Sequence, residues 1–224
     1  MAKSAATSLQ GAVARRARPP IAKTAPAPED PRTREVILEA ALDAFSRDGY
    51  EGASLPTIAK AAKVGHPLIH YYFGSKDNLW RQTVEYAFGG LMSEAATIDA
   101  ASRDLSPIDR LRVLIRTFTL FAARHPAHLG LIMSEWRAKS ERLTWLNDNY
   151  TGTFVRNLRR ILLEARDAGQ IKPIPPDHLG FIIMGSIVLF FSLNFDLPEG
   201  TDMDRLADQH ASWVLEAILK GIQL

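Results

Sequence analysis

The chain has 224 residues, 46% of them hydrophobic, enough for one or two domains with a sizeable core. Its formal charge is +2, yet residues 1–28 carry Lys3, Arg15, Arg16, Arg18 and Lys23 with no acid, so the positive excess lies in that segment. The absence of cysteine excludes a disulfide framework, a thiolate nucleophile and a cysteine-ligated metal; the longest apolar stretch, Leu179 to Phe195, is too short and too interrupted to favour a membrane span.

In chain order, residues 1–31 are rich in Ala, Pro and Arg and show no apolar periodicity, so they read as a flexible basic arm. No apolar core follows the basic residues, which argues against secretion and makes the cytoplasm the expected location. Ile37, Leu38, Ala41, Leu42, Ala44 and Phe45 predict a helix over Thr33 to Arg47, stopped by Gly49. Ser54 and Pro56 open a short helix at about Leu55, with Ile58, Ala59 and Ala62 on one face. Lys63-Val64-Gly65 is a turn, in which Gly65 is expected to take the unusual backbone conformation. Pro67 starts a second short helix. There Ile69 and Phe73 point inward, leaving His66, Leu68, His70, Tyr71 and Tyr72 on the outer surface or its margins. A face this rich in imidazole and phenol suits phosphate oxygens and base edges, and the layout is that of a helix-turn-helix DNA reader.

Ser75 caps the next helix, expected to end near Gly89-Gly90. Further helices are predicted from Ser106-Pro107 to Arg124, from Pro126 through Trp136, from Trp145 to Ala168, from Asp177 to about Asn194 and from Met203 to Ile222. Strand signals are absent. The expected fold is all-α, about nine helices: a three-helix reader over residues 32–79, then a helical domain over residues 80–224 for effector binding and dimerisation.

From Arg32 to Leu79 the chain resembles the DNA-binding domain of the tetracycline-repressor (TetR) family, through AALDAFSRDGYEGAS, TIAKAAKV and above all LIHYYFGSKDNL. The resemblance implies that His66, Pro67 and Leu68 face the bases and that His70, Tyr71, Tyr72 and Lys76 lie at phosphates or the groove edge. Ser54 and Lys63 complete the DNA-facing candidates. The chain departs from the family pattern at Gly65, where Ser or Thr is common, at Lys63, where Gly is usual, and at Leu68, where Thr is common. Operator specificity is therefore its own. An apolar Leu68 suits a thymine methyl.

The resemblance also implies an effector pocket among the middle helices. The candidates are Phe118, Phe121, Met133, Trp136, Trp145, Phe154, Met184 and Phe190, with His125, His128, Tyr150 and Asn194 to orient a ligand. The helix after Asp177 is apolar on nearly every side, and the last one shows Leu206, His210, Trp213, Val214 and Ala217 at three- and four-residue steps. In the family such a pair forms a four-helix bundle with its symmetry mate, so Ile183, Ile187, Leu206, His210, Trp213, Val214 and Ala217 are the expected dimer contacts. The function implied is a ligand-responsive regulator, in the family's usual sense a repressor, that binds a palindromic double-stranded operator as a two-fold homodimer and is released by a small molecule. No cofactor, metal or membrane is expected. A metal-responsive regulator using His66 with His70 or His125 with His128 is the alternative, though two nitrogens without a third ligand make a poor site. A helical enzyme is a further one; there is no HExxH, phosphate loop or nucleophile elbow to support it.

Overall fold

The computed structural model describes residues 30–171, 174–193, 197–198 and 200–222, with side chains as far as residue 216. Every regular element among the described residues is helical: α1 Pro31–Gly52, α2 Leu55–Ala61, α3 His66–Phe73, α4 Lys76–Ala101, α5 Pro107–Arg124, α6 Pro126–Ala138, α7 Glu141–Leu146, α8 Gly152–Asp167, α9 Pro176–Ser192 and α10 Met203–Ile222. A π turn, Asn147–Thr151, joins α7 to α8 without a break, so the two form one continuous rod and the described chain makes nine rods.

Local chemistry explains the helix starts. Asp30 accepts hydrogen bonds from the Arg32 amide (3.1 Å) and the Thr33 hydroxyl (2.9 Å), with Pro31 in the first turn of α1. Ser54, Ser75 and Ser106 accept from the amides three residues on, at 3.2, 3.1 and 3.2 Å, satisfying donors that have no partner within the helix. Gly49 has φ +70° and turns the chain, after which one further helical turn carries Tyr50 and Glu51 towards the body of the molecule.

Several features differ from expectation. α4 runs past Gly89-Gly90 to Ala101: both glycines face open space, and the following MSEAATIDAA is a run of good helix formers that outweighs their cost of ~1 kcal/mol each. The rod expected from Trp145 starts at Glu141 and contains the π turn. Gly152 permits that turn, since a Cβ there would collide with the Asn147 carbonyl. In the reader's turn it is Lys63 that lies in the left-handed region, at φ +56°, whereas Gly65 is ordinary extended backbone (φ −71°, ψ 135°).

Two hydrophobic cores result. The first gathers Ile37, Leu38 and Phe45 of α1, Ile58 of α2, Ile69 and Phe73 of α3, and Leu79, Trp80 and Phe88 of α4, but it also takes Leu131 from α6 and Leu146 from α7, both fully buried. The second packs α5, α8, α9 and α10 around Leu111, Ile115, Leu162, Ile183, Ile187 and Ala211. Phe121 touches both cores. α1 and α6 pack so closely that a Cβ on Gly130 would collide with Ser46.

Candidate nucleic-acid interface

α2, the Lys63 turn and α3 form one unit because Ile58, Ala59, Ala62, Ile69 and Phe73 are all buried against α1 and α4. The same packing turns His66, Pro67, His70 and Tyr71 outward, with Lys63 exposed in the turn and Leu68, Tyr72, Ser54 and Lys76 half-buried at the edges. The nine candidates thus bound one continuous segment, in two groups: side chains free to meet a ligand and side chains already engaged.

The engaged ones have definite partners. His70 contacts the Gly74 carbonyl through Nδ1 at 3.0 Å, and a carbonyl only accepts, so Nδ1 carries the proton. In the neutral ring Nε2 is then an acceptor; it donates to a phosphate only as imidazolium. The His66 ring meets His70 edge-on at 4.9 Å, and Tyr71 meets Tyr72 at 5.3 Å. The Tyr72 hydroxyl accepts from the Asp30 amide (3.0 Å), which ties the start of α1 to α3 and leaves its own proton free to donate. Ser54 is committed to its cap and to the Thr57 hydroxyl at 2.7 Å. Lys76 reaches back: its ammonium lies 4.4 Å from the centre of the Tyr50 ring and 3.5 Å from the Glu51 carbonyl.

The sequence pattern did not single out this Tyr50 and Glu51 seat, nor Arg142, whose guanidinium lies 3.6 Å from the same ring. In the sequence, Tyr50 and Glu51 figure only in the AALDAFSRDGYEGAS resemblance, beside Gly49 as a helix stop. Burial, and secondarily the charge of Asp77, push the Tyr50 phenol upward, so it stays neutral. The exposed Thr57 and Lys60 of α2 lie on the same unit, signalled only by their place on the face opposite Ile58.

Among the effector candidates, Phe118, Phe154 and Met184 come together in a wholly apolar cleft with Leu114, Leu158, Ile183 and Ile187. The side chains pack closely enough that the cleft admits no water-sized group. Phe118 lies 4.8 Å from Phe154 and 6.4 Å from Phe121, which continues to His125 (5.0 Å) and His128 (5.5 Å). Burial pushes His125 down, helped by Arg124, and pushes His128 down to about 4, helped by His125; both are neutral near pH 7. The rest are elsewhere. Trp145 and Tyr150 pack on Trp80 and Phe88 of the first core, Trp136 is a surface residue beside Phe181, and Phe190 stacks on His210 at 4.3 Å. Met133 is half-buried on α6 and is not in the cleft lining; Asn194 lies outside the described residues.

Of the expected dimer contacts, Ile183, Ile187 and Val214 are buried in the protomer's own core, and the side chain of Ala217 lies outside the described residues. Leu206 and His210 are half-buried. Among the described side chains of the last two helices, Phe181 (65%), Ile182, Leu189 and Trp213 (58%) are exposed large apolar residues. The histidine pairs exist, with His125 and His128 at 4.8 Å, yet among the described residues no three His, Asp or Glu side chains converge. No helix among the described residues is long and apolar enough to cross a membrane.

Residues 37–83 match the family described as "Bacterial regulatory proteins, tetR family", and residues 104–192 match "Tetracyclin repressor-like, C-terminal domain". The HTH-type transcriptional repressor NicS of Pseudomonas putida is 27% identical over 207 residues, covering 86% of this chain and 93% of its own. The crystal structure of HlyIIR, a hemolysin II transcriptional regulator, shares 25% identity with a TM-score of 0.69 over 86% of this chain and 98% of that one. AibR, in complex with isovaleryl coenzyme A and operator DNA, has the same fold at 20% identity, with a TM-score of 0.66 over 84% and 98% of the two chains.

Proposed function

The chain belongs to the TetR family of bacterial regulatory proteins, whose members are ligand-responsive transcriptional repressors, and from that premise we propose how this one works. It binds a palindromic operator as a two-fold dimer through α3 and lets go when a small molecule enters the α5–α8–α9 cleft. The observation that carries the reading is the division of α3 into a buried edge, Ile69 and Phe73, and an outward face of His66, Pro67, His70 and Tyr71. Base contacts are assigned to His66, Pro67 and Leu68; phosphate contacts to Lys63, His70, Tyr71, Tyr72 and Lys76; Ser54 shapes the start of α2.

The dimer is supported by the apolar surface that α9 and α10 leave open. A second copy of the chain covers it in this reading, and the two-fold axis sets two α3 helices about one DNA turn apart, roughly 34 Å. The closed cleft supports an induction mechanism. A ligand can occupy it only by separating α5, α8 and α9, so it binds the opened form better and, by linkage, lowers affinity for DNA. The lining calls for an apolar group at the buried end of that ligand.

The Asp30 amide on the Tyr72 hydroxyl sets the root of the basic arm beside α3, which supports the arm running along phosphates or a minor groove; residues 1–29 themselves lie outside the described residues. This is a binding protein without catalysis in our reading, acting on the chromosome and so in the cytoplasm. Selection from a random-sequence duplex pool by the purified protein tests it. A palindrome with half-sites one turn apart, bound at one dimer per site, is expected. Enrichment of no sequence overturns the reading.

A further inference from the structure

The Lys76 ammonium does not stand alone at the edge of the reader. It lies over the Tyr50 ring at 4.4 Å and 3.5 Å from the Glu51 carbonyl, while the Arg142 guanidinium lies over the same ring at 3.6 Å. Arg142 comes from α7, in the effector-binding half. It is held there by Glu135, a carboxylate only 1% exposed that accepts from Arg142 Nε (3.3 Å) and from the Ser140 hydroxyl (2.7 Å). Its other arm reaches the Glu51 carboxylate, Nη2 to Oε1, at 3.5 Å.

The geometry points to Arg142 as a positioning residue for DNA binding. With Phe45, whose ring stacks on that of Tyr50 at 6.0 Å, it holds the Tyr50 ring on which Lys76 rests, and it draws to itself the exposed Glu51 carboxylate, which competes with a DNA phosphate for the Lys76 ammonium. A ring held in place offers Lys76 a pre-formed seat, with two of its three donors left for a phosphate oxygen. Glu135 sets the direction of Arg142. Because Glu135 and Arg142 belong to α6 and α7, a shift of those helices reaches Lys76 without passing along α4. The inference rests on the DNA-binding reading above and names the contact through which the effector-binding half acts on one phosphate-binding cation.

The test uses the full-length protein and a duplex that the wild-type protein enriches from a random pool. Arg142→Met is expected to weaken binding about fivefold and to flatten the slope of log affinity against log salt by about one per protomer. Lys76→Ala has the same two effects, and adding Arg142→Met to it changes nothing further. Adding Glu51→Gln to Arg142→Met restores part of the affinity, as does Arg142→Lys. Binding is read well below each variant's melting temperature, so lost stability does not imitate the result. Additive losses in the double variant, or a wild-type salt slope for Arg142→Met, overturn the inference and leave the DNA-binding reading intact. A pool in which the wild-type protein enriches nothing sinks both.

Discussion

Replacing Trp213 with aspartate puts a charge on the most exposed apolar side chain described in α10, and the proposed dimer stands or falls with the apolar surface that α9 and α10 leave uncovered. Trp213 is 58% exposed in the protomer, so the change costs little of the protomer's own packing. A tryptophan side chain presents roughly 250 Å² at most, so about 140 Å² remains to be covered by a partner. At ~25 cal/mol/Å² that is worth about 3 kcal/mol, and two-fold symmetry counts it twice. Burying the new carboxylates adds to the loss. The dimer dissociation constant should therefore rise by at least about 10³-fold. Sedimentation velocity across nanomolar to micromolar protein, with circular dichroism to verify the fold, measures it. A Trp213→Asp protein that stays dimeric at the wild-type concentration would refute the assignment of this face to a second copy.

Removing residues 1–29 while keeping the Asp30 cap should weaken operator binding and flatten its salt slope by about 2–4 per protomer, since the segment carries five cations against the single acid Glu29; an unchanged slope would remove the arm from the interface. Lys63→Gly relieves a left-handed backbone at φ +56° and should raise the melting temperature by about 2–4 °C, the shift expected from ~1 kcal/mol in a chain of this size. Its loss of a cation shows separately, as weaker DNA binding. His128 has its pKa pushed down to about 4, below the ~6.5 of an unfolded chain, so the unfolded state takes up more protons between those values. Stability is full above pH 6.5 and falls by about 2 kcal/mol on descending to pH 4, allowing for solvent screening of a ring not fully enclosed. Urea unfolding at pH 7 and pH 5 should show a smaller difference for His128→Phe than for wild type, and equal differences would contradict the assignment.

The reader was legible in the sequence because its signals are local. Ser54 and Ser75 each make the cap bond that their position announces, and the spacing of Ile69 and Phe73 orients α3 without help from the rest of the chain. The path of the turn was not legible: the left-handed residue is Lys63, and the neighbouring glycine drew the eye because its freedom is intrinsic whereas a lysine's is imposed by the helices on either side. α9 is a different failure. It is apolar on almost every side, so periodicity could not say which of Phe181, Ile182, Ile183 and Ile187 faces inward, and only packing against α5 and α8 separates the buried isoleucines from the exposed residues. The Tyr50 seat depends on residues from α1, α4 and α7 and has no signature in any one stretch.

The packing bears on how a cleft in one half reaches a reader in the other. A boundary drawn at residue 80 would suggest two bodies joined by α4, yet Leu131 and Leu146 from α6 and α7 are fully buried in the reader's core, and Gly130 lets α6 lie against Ser46 of α1. Interiors packed to this density do not deform smoothly; a helix that moves must carry its neighbour or break contact with it. Ring contacts run from Phe154 and Phe118 at the cleft through Phe121 to His128, and from His128 to Phe88 of α4 at 5.5 Å. In the proposed mechanism, opening the cleft presses on two helices that hold the reader, α4 through Phe88 and α1 through α6, and the reader turns as a body because its own core is shared with the helices that push it.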